Sequence, residues 1–268
     1  MFLAFTLLRS FRKCQNISEE FSSMSLTSKV LTPVFVAATL IFSLQAEANL
    51  IVIGDVDAPN TSNRSQNYDL LENVRGGGTD ILWLTGGYAV NSRYTDLRSR
   101  WTTEGAAITD DLTASISSSL AGRDLVVISQ LWSNSSLFDA TAQSALANYL
   151  IGGGEALYIA QVASGTLQTQ YNNFLSGIGS SMSFLPTGGN TSGTEVIDTN
   201  TPYGTGVSLF ELGGWTAMDV AGGTAVVTLN GAVGVAYETF AQVPEPGALA
   251  ILGIGLTGLG FARRKRAA

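Results

Sequence analysis

Twice along this chain an apolar run is followed by a segment of helical periodicity, three consecutive glycines and a second apolar run. The first set is Leu-Ile-Val-Ile at 50–53, a helix through Tyr68, Leu70, Leu71 and Val74, glycines 76–78, and Ile-Leu-Trp-Leu at 81–84. Asn63 or Ser65 would cap that helix. The second set is Leu-Val-Val-Ile at 125–128, a helix over 138–151, glycines 152–154, and Ala-Leu-Tyr-Ile at 156–159. Glycine ends helices well because it takes positive φ without a Cβ clash. Strands alternating with helices, and apolar along their whole length, predict a parallel sheet covered on both faces.

Beyond a further helix expected at 169–178, the texture changes. The remaining runs, 195–197, 224–229 and 234–237, are short and β-like, and Asn230-Gly231 favours a tight type I′ hairpin turn. The expected fold class is therefore α/β: a layered parallel sheet flanked by helices with an antiparallel C-terminal edge, over residues 49–242. An N-terminal signal helix and a short C-terminal transmembrane helix are expected outside it.

Residues 1–48 read as a signal peptide, with Met24 a possible true start. Lys29 supplies the positive region, 30–44 the apolar core, and Ala46-Glu47-Ala48 a small-x-small cleavage pattern, with Ala46 and Ala48 as its small residues. That core is shorter than the roughly twenty residues a membrane-spanning helix needs. At the other end, over 243–268, Pro244, Glu245 and Pro246 precede an apolar Gly-rich run at 247–262, closed by Arg263, Arg264, Lys265 and Arg266. A short apolar helix would enter the bilayer while the basic cluster stays cytoplasmic. The two prolines keep the chain extended just outside, where a protease can grip it.

This tripartite end, with Gly253, Gly255, Gly258 and Gly260 in its helix, closely resembles the PEP-CTERM sorting signal of Gram-negative bacteria. The resemblance implies an exosortase as processing partner, a transient stage in the inner membrane, and a final place at the cell envelope surface or outside it. It also implies association with extracellular polysaccharide and biofilm matrix. The helix, triple glycine and strand at 145–159 are similar to the core of class I glutamine-amidotransferase-like and flavodoxin-like folds. That family's chemistry needs a cysteine nucleophile and a histidine base. The chain has no histidine, and its single cysteine, Cys14, lies ahead of the expected cleavage point. Where a nucleophile would be sought, after the strand at 156–159, the sequence reads Ala160-Gln161-Val162.

Composition narrows the function further. Residues 49–242 contain no lysine and six arginines against seventeen Asp and Glu, an acidic surface that repels nucleic acid. Serine hydrolysis lacks a His or Lys base there. Ligands of parallel α/β sheets bind beyond the carboxyl ends of the strands, which makes Asp55, Asp57, Asn60, Tyr88, Gln130 and Trp132 a candidate ligand rim, suited to sugar. Asp55 and Asp57 are weak calcium candidates, as oxygen ligands for a hard cation; no other cofactor is implied. Asp110-Asp111 reads as a solvated turn or helix start. The leading expectation is a non-enzymatic surface or matrix protein with no catalytic residues. The alternatives are a secreted carbohydrate-active hydrolase using two carboxylates and a calcium-dependent adhesive module.

Overall fold

Each apolar run becomes a strand because its alternate residues enter two different cores. In the first strand Ile51 and Ile53 face one core while Leu50 and Val52 face the other. In the next, Ile81 and Trp83 divide in the same way from Leu82 and Leu84. A strand buried on both sides has no reason to alternate in polarity, which is why these segments read as unbroken apolar runs.

In the computed structural model Ala46–Val243 forms one compact unit. The structure describes residues 48–130, 138–186 and 195–241. Among these are ten strands and four helices. The strands are β1 (Ala48–Ile53), β2 (Asp80–Leu84), β3 (Ala107–Asp111), β4 (Leu125–Gln130) and β5 (Ala156–Ala160), then β6 (Ser183–Phe184), β7 (Glu195–Ile197), β8 (Met218–Asp219), β9 (Thr224–Leu229) and β10 (Ala232–Phe240). The helices are α1 (Tyr68–Arg75), α2 (Thr95–Thr103), α3 (Ala140–Ile151) and α4 (Gly165–Gly177).

Parallel pairing gives the order β3-β2-β4-β5-β1. At β1 the sheet turns antiparallel: β10 pairs with it, followed by β8 and β6, while β9 and β7 extend from β10. The parallel sheet and antiparallel edge expected from the sequence are both present. Leu70, Leu71 and Val74 of α1 and Leu97 and Trp101 of α2 fill one core; Ala142, Leu146 and Leu150 of α3 and Leu167, Tyr171, Phe174 and Leu175 of α4 fill the other.

The local signals act as expected at two turns. Gly76 adopts φ 60° where α1 ends. Asn230 and Gly231 take φ of 54° and 80°, the double left-handed conformation of a type I′ turn between β9 and β10.

Four expectations need correction. Neither Asn63 nor Ser65 caps α1: the helix begins at Tyr68, directly after a 3-10 turn at Ser65–Asn67, and the Asn67 side chain at its N-cap makes no capping hydrogen bond. Helix α4 starts at Gly165, four residues before the apolar pattern becomes visible, because Ser164 caps it by accepting from the Leu167 N–H. Helix α3 starts at Ala140, not at residue 138, because Asp139 is its cap and accepts from the Ala142 N–H at 2.8 Å. Asp110 and Asp111 are neither turn nor helix start. They end β3, where Asp110 pairs with Arg98 at 2.8 Å and Asp111 is buried. The expected signal helix and transmembrane helix lie outside the described residues. Among the described residues no helix is long and apolar enough to cross a membrane.

Candidate functional site

The end of β1 is held by its own chain. Gly54 donates its N–H to the Gly234 carbonyl at 2.9 Å and accepts from the Thr216 N–H at 2.7 Å. A Cβ on Gly54 would lie 2.1 Å from the Thr216 carbonyl oxygen, so only glycine fits this approach. Beside it Asp55 is fully buried. One carboxylate oxygen accepts from the Asp57 N–H at 2.7 Å; the other accepts from Arg64 at 2.9 Å and from the Gly213 N–H at 2.6 Å. Burial pushes the Asp55 carboxyl up from its usual range, while the Gly213 N–H and the Arg64 guanidinium pull it back down.

Thr216 also accepts at Oγ1 from the Val162 N–H, 2.9 Å away, just beyond β5. The segment from Gly213 to Thr216 is therefore a strap across the ends of β1 and β5. In a sheet of this kind a ligand crevice opens where neighbouring strands send their helices to opposite faces. Strands β1 and β5 do so, through α1 and α4, and the strap fills that place.

Strands β2 and β4 form a second such point, through α2 on one face and α3 on the other. Here Trp83 donates from Nε1 to Ser129 Oγ at 2.9 Å. Tyr94 lies on Trp83 with ring centroids 5.4 Å apart, and the Arg98 guanidinium sits 4.9 Å from the centroid of the Trp83 ring. Gln130 accepts through Oε1 from the Tyr158 hydroxyl. Asp57 pairs with Arg93 Nε at 2.6 Å, both side chains 30 % exposed. Thr85 donates its hydroxyl to the Tyr88 carbonyl, leaving the Tyr88 ring 37 % exposed. Burial, then the negative charge of Asp57, pushes the Tyr94 hydroxyl far up. Burial, then the charge of Tyr88, pushes the Tyr171 hydroxyl of α4 far up.

Of the rim residues expected from the sequence, Asp55 and Asp57 are joined directly, and Tyr88 and Gln130 stand at the β2 and β4 ends. Asn60 is a turn former: its carbonyl accepts from the Asn63 and Arg64 N–H groups, and its side chain accepts from Ser62 Oγ at 2.6 Å. Trp132 lies outside the described residues, as do Ala46, Pro244, Glu245, Pro246 and Arg263, Arg264, Lys265, Arg266. Ala48 is the buried first residue of β1, paired with Phe240, so cleavage after it would leave the strand to begin at Asn49. Among the described residues no group of three or more His, Cys, Asp or Glu side chains is placed to hold a metal ion.

The partners Arg64, Arg93, Tyr94 and Gly213 were not legible in advance. Arg64 and Arg93 share one available signal, as two of only six cations facing seventeen carboxylates in this stretch. Asp111 was also missed as a structural anchor. It accepts from the Thr113 N–H and hydroxyl at 2.9 and 2.6 Å, from Ser117 Oγ at 3.1 Å and from the Ser118 N–H at 2.6 Å, organising the loop after β3.

Comparison with known proteins bears on the C-terminus. Residues 242–266 match the PEP-CTERM protein-sorting motif. The chain thus carries the mark of an exported protein sorted to the cell envelope, with an exosortase as its processing enzyme. No curated protein and no solved structure matches the chain, and the amidotransferase-like or flavodoxin-like resemblance of the central domain is confirmed by neither comparison.

Proposed function

We propose that this protein is a non-catalytic binding module of the cell envelope, delivered there by its sorting signal. Before processing, the apolar run at 247–262 holds the chain in the inner membrane with the basic cluster on the cytoplasmic side. Exosortase then acts at Pro244, Glu245 and Pro246, and the domain is retained at the surface or released into extracellular polymer. The match of residues 242–266 to the sorting motif carries this reading.

The chemistry of the domain supports the binding role. Residues 49–242 offer no histidine, cysteine or lysine for acid–base or nucleophilic work. The carboxylates nearest the crest are tied up: Asp55 by Arg64 and Gly213, Asp57 by Arg93, Asp110 by Arg98. A carboxylate whose oxygens already accept from an arginine or a backbone N–H is poorly placed to exchange a proton with a substrate.

The test is the intact mass of the protein from native envelope and medium fractions, with and without an active exosortase. A species beginning at Asn49 and ending at Pro244–Pro246, lost when exosortase is inactive, is expected. A species that keeps Arg263–Arg266 in both strains would remove the sorting reading.

A further inference from the structure

Strand β3 ends the parallel side of the sheet, and among the described residues only β2 pairs with it. Along a parallel ladder, successive residues of a strand bond alternately to one side and to the other. Ala107 donates to the Thr79 carbonyl and Asp111 accepts from the Thr85 N–H, so Ala107, Thr109 and Asp111 are the residues that serve β2. The N–H and C=O groups of Ile108 and Asp110 therefore point away from the sheet.

Proteins commonly guard such an edge with lysine, proline or a bulge. Strand β3 has none of these: its sequence is Ala-Ile-Thr-Asp-Asp, and its register with β2 runs without a shift. The exposed charge on it, Asp110, is held by the Arg98 guanidinium of α2 through two hydrogen bonds of 2.8 and 3.0 Å. Beside the edge, Ile108 and the outer side of α2 line a groove of about 760 Å³. Apart from Arg98, α2 presents Thr95, Ser99, Thr102 and Thr103 there, all short side chains that let another helix come close.

Charge and symmetry select the partner. Residues 124–242, which include β6, β7 and β8 on the other side of the sheet, hold eight carboxylates and no Lys or Arg, so two copies meeting there repel each other. Residues 91–111 hold three arginines against four carboxylates, which makes the β3 edge nearly neutral in an acidic domain. The edge is also complementary to itself. With two copies antiparallel about a two-fold axis at Thr109, Ile108 of each faces Asp110 of the other, and the outward backbone groups of both are satisfied. Thr109 then meets Thr109 of the second copy, a favourable cross-strand pair. Each Asp110 keeps its own Arg98. A register centred on Asp110 would instead set like charges directly opposite.

We infer that a second copy of this chain pairs with β3 across a two-fold axis at Thr109, joining the parallel sides of two sheets into one. Such an interface uses the same patch on both copies and closes on itself. It goes beyond the binding role proposed above and does not depend on it.

The test is sedimentation velocity of the processed protein from its host over a range of concentrations. A reversible dimer is expected, strengthened by added salt, which screens the acidic charge of both copies. Thr109→Lys places two like charges opposite each other on the axis, at an exposed position, and should sediment as a monomer that still unfolds cooperatively. Thr109→Cys brings two Cα atoms to about 4.5 Å in a pair of this type, within disulfide reach. Residues 49–242 contain no other thiol, so mild oxidation should give a linked dimer. Val196→Cys on β7, at a side chain 62 % exposed, is the control and should stay unlinked. A parent protein that is monomeric at every concentration overturns the inference. So does a Thr109→Lys variant that still dimerises, or linkage through Val196→Cys and not through Thr109→Cys.

Discussion

Asp55 shows how a side chain can look like a functional group and work as a structural one. Its carboxylate is fully buried and links the end of β1 to Arg64 and to a strap 158 residues further along. Asp55→Ala leaves the Arg64 guanidinium with only Glu211, 3.7 Å away, and Gly213 without its acceptor. Breaking a buried pair from one side costs about 3–5 kcal/mol. The urea midpoint should fall accordingly with an unchanged m-value, and Asp55→Asn, which still accepts from Gly213, should lose less. Two other carboxyls set opposite pH dependences. Burial raises Glu155 above its ordinary 4.5, against a hydrogen bond from the Tyr203 hydroxyl. A raised acid supports the fold most below that ordinary value and loses its contribution as pH climbs through the folded one. Glu155→Gln, whose amide oxygen still accepts from Tyr203, should therefore raise the melting temperature at pH 7.5 and leave it nearly unchanged at pH 4. For Asp111, burial also raises the carboxyl, but the hydrogen bonds from Thr113, Ser118 and Ser117 outweigh it and hold the group well below its ordinary 3.8. Its support is present above that value and is lost as pH falls. Asp111→Asn should lower stability at neutral pH and flatten the acid limb of a stability–pH curve.

At the scale of elements, what could be read in advance was what the chain encodes locally. Strands β1, β2, β4 and β5 announce themselves because burial on two faces demands continuous apolar residues, and α1 and α3 because their inward faces repeat at helical spacing and end in glycine. The edge strand β3 is exposed at three of its five residues, so it carries no such signature. Strands β6 and β8 are two residues each and exist only through their pairing with each other and with β10. Helix α2 buries only Leu97 and Trp101, too few to show a periodicity. The same division holds for the site. Loops after parallel strands pointed to Asp55, Asp57 and Gln130, whereas the strap that closes the β1–β5 crevice is a tertiary event between distant segments. Gly54→Ala tests that closure. Its Cβ would strike backbone, not a flexible side chain, so the strap must move. A loss of about 1–3 kcal/mol is expected from this overpacking, read as a lowered urea midpoint with faster amide exchange at Gly213 and Thr216.

On the scale of the whole domain, the last strand is the one that completes the sheet. Strand β10 pairs along all six residues of β1, from Ala48 with Phe240 to Ile53 with Val235, and also receives β8 and β9. Without it, β1 would be an apolar edge with a row of unpaired backbone groups, and β6 to β9 would have nothing to join. A chain exported from its N-terminus thus emerges with its first strand unpartnered on one side until residues 232–240 follow. Ending the protein at residue 231 keeps every parallel strand and every described helix, yet it should yield a protease-sensitive species without a cooperative thermal transition. Ending it at Ala241 removes only the sorting segment and should leave the melting temperature unchanged to within about 4 °C, the shift that about 1 kcal/mol produces in a domain of this size. Limited proteolysis and calorimetry of the two truncations separate the cases. A cooperative melt in the shorter one would show that the parallel sheet is self-sufficient and that β10 only decorates it.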